Sequence, residues 1–138
     1  MKTSLWAVSL ALVITAATAG ANGSVERTFS APVDRVWSTT EAVLKHLGWD
    51  VDKTDRGIGF ITTDSRRVDG ENYGVYEKGV RHRLRLHLKA AGEGRTTVSI
   101  ERTVFKRERI LFVDKDEPVT DTTQTVEKAL LEAIGKAL

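Results

Sequence analysis

The clearest pattern in the chain is a strict alternation between residues 80 and 90. A period of two is typical of a strand with one buried side and one solvated side. The side predicted to be buried holds Val80, His82, Leu84, Leu86, Leu88 and Ala90. The side predicted to face solvent holds Arg81, Arg83, Arg85, His87 and Lys89. The sequence therefore predicts a strand whose outer face is basic.

Two other segments show the apolar spacing of amphipathic helices. The first covers residues 32–47, with Ser30 as the predicted N-cap, Pro32 in the first turn and Gly48 as the C-terminal cap. The second begins near Asp121, which with Gln124 resembles a capping box. Its apolar face holds Val126, Leu130, Ala133, Ile134 and Ala137. Both stripes must be buried, so we expect both helices on one face of a sheet.

The remaining apolar segments are short and predict strands. They are Val25–Phe29, a hairpin of 49–52 with 58–63, and a return strand at 96–105 after the loop at 91–95. A further strand is left open for 106–113, a turn is predicted at 114–118, and 64–79 is predicted as a long excursion, extended only near 73–76. The order β-α-β-β-β-β-(β)-α predicts one α+β domain over 25–138, with a mostly antiparallel sheet of five to six strands.

The N-terminus has the organisation of a secretory signal peptide. Lys2 precedes an apolar run at 5–14, and small residues at 17–19 and 19–21 form two A-x-A cleavage sites. We therefore expect residues 1–21 to be removed, after Ala19 or Ala21, and the protein to be exported to the periplasm or the extracellular space. A buried N-terminal helix is the alternative. The sequence predicts no transmembrane segment in the mature chain.

The amino-acid composition limits the kinds of functional site that the chain can form. The 138 residues include no cysteine, which excludes disulfides and thiolate metal sites, and the net charge of +2 gives no argument for nucleic acid. His82 and His87 are predicted on opposite strand faces, so they cannot share a metal ion. For an enzyme, only His82, Arg102 and Tyr73 or Tyr76 are candidate polar groups. We therefore expect no enzyme, no cofactor and no metal.

The basic strand face is the main candidate site. If Leu88 faces Val98 across the hairpin, Arg85 lies opposite Glu101, His87 opposite Ser99 and Arg83 opposite Thr103. Arg81, Arg83 and Lys89 would then meet no carboxylate on that neighbouring strand. The predicted binding residues for an anionic partner are Arg81, Arg83, Arg85 and Lys89. The partner would be an envelope protein, or an anionic lipid or lipopolysaccharide surface; the alternative is a face that only keeps the protein soluble.

Four segments together resemble a known family. They are FSAPVDRVW at 29–37, AVLKHLGWDV at 42–51, DRGIG at 55–59 and ILFVDKDEP at 110–118. They are similar to the repeated domain of the BamC (NlpB) lipoproteins of the outer-membrane β-barrel assembly machinery. The resemblance implies a helix-grip fold and a non-enzymatic binding or scaffold role, although this sequence has one such domain and no lipobox cysteine. The first segment also resembles START-like domains, which implies an alternative function as a small-molecule or lipid carrier with a sheet–helix pocket.

Overall fold

The longest elements of the fold are two strands that pair along their whole length. In the computed structural model, which describes residues 18–19, 23–120 and 123–138, these are β6 (Tyr76–Ala90) and β7 (Thr96–Ile110). The loop at 91–95 joins them into an antiparallel hairpin. Its register places Leu86 opposite Ile100 and Leu88 opposite Val98, which confirms the predicted pairing.

The other elements are arranged around this hairpin. The further strands are β1 (Thr18–Ala19), β2 (Val25–Phe29), β3 (Val51–Asp55), β4 (Phe60–Thr63), β5 (Arg66–Asn72) and β8 (Val113–Val119). The helices are α1 (Val33–His46) and α2 (Thr125–Ala137). Every strand pair is antiparallel, so the α+β class and the antiparallel sheet are confirmed.

Each long strand has two different neighbours along its free edge. Near the 91–95 loop, β6 pairs with β4 and β7 pairs with β2, and β3 and β1 extend the sheet on either side. At the opposite end, β6 pairs with β5 and β7 pairs with β8. We call the first part the base. The second part, made of β5, β8 and residues 76–82 and 104–110 of the hairpin, we call the arm.

The core lies between one face of the base and the two helices. The strand side chains Leu84, Leu86, Leu88, Val98 and Ile100 are buried in one cluster with the helix side chains Val36, Trp37, Leu44, Leu130 and Ile134. The predicted alternation of β6 therefore holds from His82 to Leu88, while Ala90 is exposed. The apolar faces of both helices pack against the sheet as predicted, with Leu131 in addition. Val126 and Ala133 are only partly buried, and Leu47 and Ala137 are exposed.

The ends of the helices differ in part from the prediction. Pro32 is the N-cap of α1, in place of Ser30, because its ψ of 156° is extended and the helix begins only after it. Gly48 ends α1 with a φ of 82°, and its N–H donates to the Lys45 carbonyl, so this cap is confirmed. In α2 the N-cap is Gln124, whose side chain makes no capping bond. Asp121 lies outside the described residues.

The arm is where the sequence prediction was wrong. Residues 64–79 form β5 and the first part of β6 around a turn at 73–75, and residues 114–118 belong to β8. The turn before β8 is at Leu111–Phe112. These strands were missed because β5 and nearly all of β8 are exposed, so no apolar alternation marks them. With β5, β8 and β1, the described residues contain eight strands, in place of five to six.

Most of the predicted signal peptide lies outside the described residues. Of residues 1–21, only Thr18 and Ala19 are described, where they pair with Glu26 and Val25 of β2. Cleavage at either predicted site would remove β1 and leave β2 at the edge of the sheet. Among the described ranges, neither helix has the length and apolar character needed to cross a bilayer.

Candidate functional site

The outer face of the sheet, opposite the helices, carries the predicted basic residues. We call Arg81, Arg83, Arg85, His87 and Lys89 the basic stripe. Arg83, Arg85, His87 and Lys89 are exposed, whereas Arg81 is only partly exposed. Successive members point to the same face because side chains of a strand alternate. Residues two apart lie roughly 6.6 Å apart, so the stripe covers about 26 Å of the strand.

The register across β6 and β7 determines what the stripe meets. Arg83 lies opposite Thr103, Arg85 opposite Glu101, His87 opposite Ser99, and Lys89 opposite Thr97, as predicted. Among the described residues, however, Arg85 and Glu101 do not approach within the 4.0 Å of an ion pair, and neither Arg83 nor Lys89 has a carboxylate at that distance. Three exposed cations of the stripe therefore have no ion-pair partner within the part of the chain that the structure describes.

Aromatic rings support two of these cations. The guanidinium of Arg83 lies 4.9 Å from the ring centroid of Phe105, and that of Arg85 lies 5.7 Å from the ring centroid of Phe60. A cation over a ring face is attracted by the ring quadrupole, so these contacts restrict the guanidinium groups without neutralising their charge. Both rings are themselves on the outer face, opposite the helix-covered core. The arrangement presents charge to solvent from a partly fixed position.

Two members of the stripe form hydrogen bonds to other residues of the protein. Arg81 donates to the carboxylate of Glu77 at 2.8 Å and to the hydroxyl and carbonyl oxygens of Ser65 at 3.0 and 2.8 Å. The Nε2 atom of His87 lies 2.9 Å from the carbonyl oxygen of Ile58. The predicted binding set therefore divides: Arg83, Arg85 and Lys89 face solvent, and Arg81 is held by the arm.

Shallow depressions flank the stripe. One, of about 320 Å³, lies beside Arg83 and Arg85 and is also lined by Asp52, Lys53 and Thr62. Another, of about 400 Å³, is lined by Glu26, His87, Lys89, Thr97 and Ser99. Glu26, Asp52 and Glu101 thus lie at the borders of the stripe. The surface is basic along its centre and acidic at its margins, which favours a narrow anionic contact.

The outer face of the arm carries an ion-pair network that the sequence did not reveal. Glu77 is 1% exposed, with Arg81 at 2.8 Å and an Arg109 nitrogen at 3.5 Å. Across β7 and β8, Arg109 binds Asp114, and Arg107 binds both oxygens of Asp116 at 2.8 and 3.0 Å. The hydrogen bonds from Arg109 and Arg107 lower the pKa of Asp114 and of Asp116 respectively. These charged side chains therefore form ion pairs with one another within the arm.

A second polar cluster lies on the helix side, between β7 and α2. A nitrogen of Arg102 lies 3.3 Å from Nδ1 of His82, and Nε of Arg102 donates to Glu127 at 3.1 Å. His82 also stacks obliquely on Trp49, with ring centroids 4.7 Å apart. The structure thus joins His82 to Arg102, while Tyr73 and Tyr76 lie at the far end of the arm. The contact between Arg102 and Glu127 links α2 to the sheet.

In the part of the chain that the structure describes, no three His, Asp or Glu side chains are grouped so that they could hold a metal ion. A comparison with known protein families finds no matching family, and a comparison with curated proteins finds no match either. The resemblance to the BamC domain therefore stays a prediction. Any functional conclusion must rest on the surfaces described above.

Proposed function

We propose that this protein is a non-enzymatic binding module of the cell envelope that docks an anionic partner on its basic stripe. The observation that carries the proposal is the set of three exposed cations, Arg83, Arg85 and Lys89, without ion-pair partners among the described residues. These cations are aligned on one sheet face, and two of them, Arg83 and Arg85, rest against the aromatic rings of Phe105 and Phe60. Unpaired, partly fixed charges on an open sheet face suit recognition and electrostatic steering.

The sequence supports the compartment and the architecture of this proposal. The N-terminal pattern favours export, and the BamC-like segments favour a helix-grip domain with a binding or scaffold role in the envelope. A sheet with two helices against one face agrees with that architecture at the level of fold class. Neither helix among the described residues covers the opposite face of the base, so a partner can reach it without rearrangement of the core.

The alternative of a carrier with a sheet–helix pocket has less support. The space between sheet and helices is filled by Leu84, Leu86, Ile100, Leu130 and Ile134, each at most 2% exposed. Close-packed side chains of this kind leave little room for a ligand. The depressions described above lie on the outer face instead. The geometry therefore favours a surface contact over an enclosed ligand.

The test replaces the three free cations with glutamine, as R83Q/R85Q/K89Q. A matched control removes the same charge from exposed helix positions, as R35Q/K45Q/K128Q. Binding of each protein would be measured to phosphatidylglycerol vesicles, to lipopolysaccharide and to immobilised envelope proteins, at low and physiological salt. We expect the stripe variant to bind at least one of these probes more weakly by tenfold or more, with a smaller salt dependence than wild type.

Thermal unfolding would show that both triple variants remain folded. If wild type, stripe variant and helix variant bind every probe equally at both salt concentrations, the stripe only keeps the protein soluble and the proposal is wrong. If both triple variants lose the same affinity, binding depends on net charge and the stripe has no specific role.

A further inference from the structure

The far end of the arm carries a continuous apolar surface. Large apolar side chains cluster at the two turns of the arm and at the strand ends beside them. We call Tyr73, Val75, Tyr76, Ile110, Leu111, Phe112 and Val113 the apolar tip. Leu111 and Phe112, at the apex, are 77% and 76% exposed. Single exposed apolar residues are ordinary, but a contiguous exposed group of them marks a contact site.

Backbone contacts hold the two turns side by side. The N–H of Phe112 donates to the carbonyl oxygen of Val75 at 3.4 Å, and Arg109 donates to the carbonyl oxygen of Gly74 at 3.3 Å. The rings of Tyr73 and Tyr76 stack with centroids 6.4 Å apart. The side chains of both turns therefore form one convex surface.

The backbone conformation of the turn at the apex does not account for the apolar residues that occupy it. Leu111 and Phe112 have φ angles of 51° and 68°, in the left-handed region that asparagine and glycine favour. A two-residue turn with both φ values positive most often contains Asn-Gly. Leucine and phenylalanine are unfavourable there, and their exposure shows that they gain little burial in return. The apolar character of the apex therefore points to a contact outside the chain.

A polar collar begins directly behind the tip. On the helix side, Tyr76, Ile110 and Val113 form one cross-strand row, and Lys78, Glu108 and Lys115 form the next. On the outer side the corresponding row is Glu77, Arg109 and Asp114. Glu108 is three residues from Leu111 and Arg109 is two residues from it, so the apolar part of the arm is about 10 Å deep on the helix side and about 7 Å deep on the outer side. Opposite charges alternate within both rows, so the collar is polar without a strong net charge.

We propose that the apolar tip inserts into the interfacial layer of a lipid bilayer. Interfacial insertion requires an apolar body roughly 5–10 Å deep with polar groups behind it, and the tip has both. Tyrosine is also enriched at the level of the head groups, because its ring is apolar and its hydroxyl is polar. Tyr76 lies opposite Ile110, in the row directly behind the apex, and its ring stacks on that of Tyr73.

The shape of the tip favours a bilayer over another protein. A stable protein interface uses roughly 20–30 residues on each side, and the tip has far fewer. Two tips in contact would therefore not form a stable dimer by themselves. A fluid lipid surface has no such requirement, since it closes around a convex apolar object of any outline. Arg83 is seven residues from Tyr76, or about 23 Å along the strand, so the tip and the exposed part of the basic stripe are separate surfaces.

The experiment uses vesicles of phosphatidylcholine, which carry no net charge, and protein purified from a host that exports it. The test variant is L111N/F112G, which places the residues that this turn favours at its apex and so should fold at least as well as wild type. The matched control is I58N, which removes an exposed apolar side chain, 63% accessible, from the β3–β4 turn. We expect the apex variant to bind vesicles at least tenfold more weakly, and the control to bind like wild type.

A second measurement reports depth. In F112W, the new indole should shift its emission to the blue on addition of vesicles and be quenched by lipids brominated near the head groups. Trp37 and Trp49 are 3% and 4% exposed, so both should give a constant background. The proposal is overturned if wild type does not bind, if the apex variant binds equally, or if the indole is not quenched. Concentration-dependent self-association that the apex variant loses, without vesicle binding, would instead identify a second copy as the partner.

This inference is independent of the proposed function of the stripe. Binding to uncharged vesicles should not change in R83Q/R85Q/K89Q, and binding to the anionic probes at low salt should persist in L111N/F112G where the probe is a protein. The two proposals can therefore fail separately.

Discussion

Arg81 and Glu77 lie four residues apart on β6, and a nitrogen of Arg81 lies 2.8 Å from a carboxylate oxygen that is almost completely buried. A buried carboxylate is stable only when cations or hydrogen-bond donors compensate it. Arg81 supplies this compensation and is itself bound to Ser65. The relationship separates Arg81 from Arg83, Arg85 and Lys89, although all four follow one alternating pattern in the sequence.

We therefore expect R81Q to affect mainly stability and R83Q to affect mainly binding. R81Q should lower the free energy of unfolding by about 1–3 kcal/mol, because it leaves Glu77 with fewer partners in a buried position. R83Q should change it by less than about 0.5 kcal/mol, as exposed substitutions usually do. Urea titration measures the stability, and binding to the anionic probes measures the function. Loss of binding in R81Q with unchanged stability would contradict the division of the stripe.

The sequence predicted the base of the sheet well because burial leaves a strong pattern. Leu84, Leu86 and Leu88 alternate with charged residues, and that alternation determined the face of β6. Pairing these residues with Val98 and Ile100 then determined the register, and with it the position of Arg85 opposite Glu101. One-sided burial specifies register strongly, since a shift of one residue would expose the whole apolar set.

The arm could not be predicted in the same way. Its strands bury little on either face, so β5 and β8 read as polar loops. Pairs such as Arg107 with Asp116 and Arg109 with Asp114 connect β7 to β8, and they are visible only once the strands are aligned. The acidic run at 114–118, predicted as a solvated turn, is the partner strand of these arginines. The apolar tip also depends on strand alignment. Its two turns are separated by 35 or more positions in the chain, so the sequence alone does not bring them together.

Gly70 should be required for the arm to form. It has a φ of 111°, and a Cβ added there would lie 2.1 Å from the carbonyl oxygen of Lys78 on β6. Gly74 provides a matched control, since its φ is also positive, at 81°, but a Cβ there meets nothing within 4 Å. We expect G74A to lower the free energy of unfolding by about 1–2 kcal/mol, from backbone strain alone. G70A should lower it by clearly more in the same urea titration. Equal losses would mean that β5 does not approach β6 as closely as described.

The ion pairs of the arm should make it sensitive to acid. Hydrogen bonds from Arg109 and Arg107 lower the pKa of Asp114 and Asp116 below the value of the unfolded chain, about 3.9. A carboxyl group with a lowered pKa stabilises the folded state above the unfolded pKa, and this contribution is lost as the pH falls through the folded pKa. Amide hydrogen exchange of β8 should therefore accelerate relative to the base below about pH 4. NMR titration of the two side-chain carboxyls, folded and in urea, measures the shifts directly; identical curves would refute them.

Export predicts a defined new N-terminus. Protein recovered from its native host should begin at Gly20 or Asn22, after cleavage at one of the two A-x-A sites. N-terminal sequencing together with the intact mass would establish this. A chain recovered in full length, still starting at Met1, would contradict both the signal peptide and the envelope location on which the proposed function depends. Either cleavage also removes Thr18–Ala19, so the edge of β2 should then show faster amide exchange than in the uncleaved chain.

Removal of one partner from the buried pair between Arg102 and Glu127 should cost more stability than removal of one partner from an exposed pair. Both side chains are almost inaccessible, at 6% and 3%, and Arg102 also contacts His82 and the Thr123 carbonyl oxygen. R102M should lower the free energy of unfolding by about 3–5 kcal/mol, because it leaves a buried carboxylate without its cation.

The matched control is K136M, which breaks the exposed Lys136–Glu132 pair of the same helix and should change stability by less than about 1 kcal/mol. The double variant R102M/E127L should recover part of the loss of R102M, since an apolar pair of similar volume needs no desolvation of charge. If the double variant is as unstable as R102M, the loss arises from the contacts of Arg102 with His82 and Thr123, and the pair with Glu127 is not what holds α2 to the sheet.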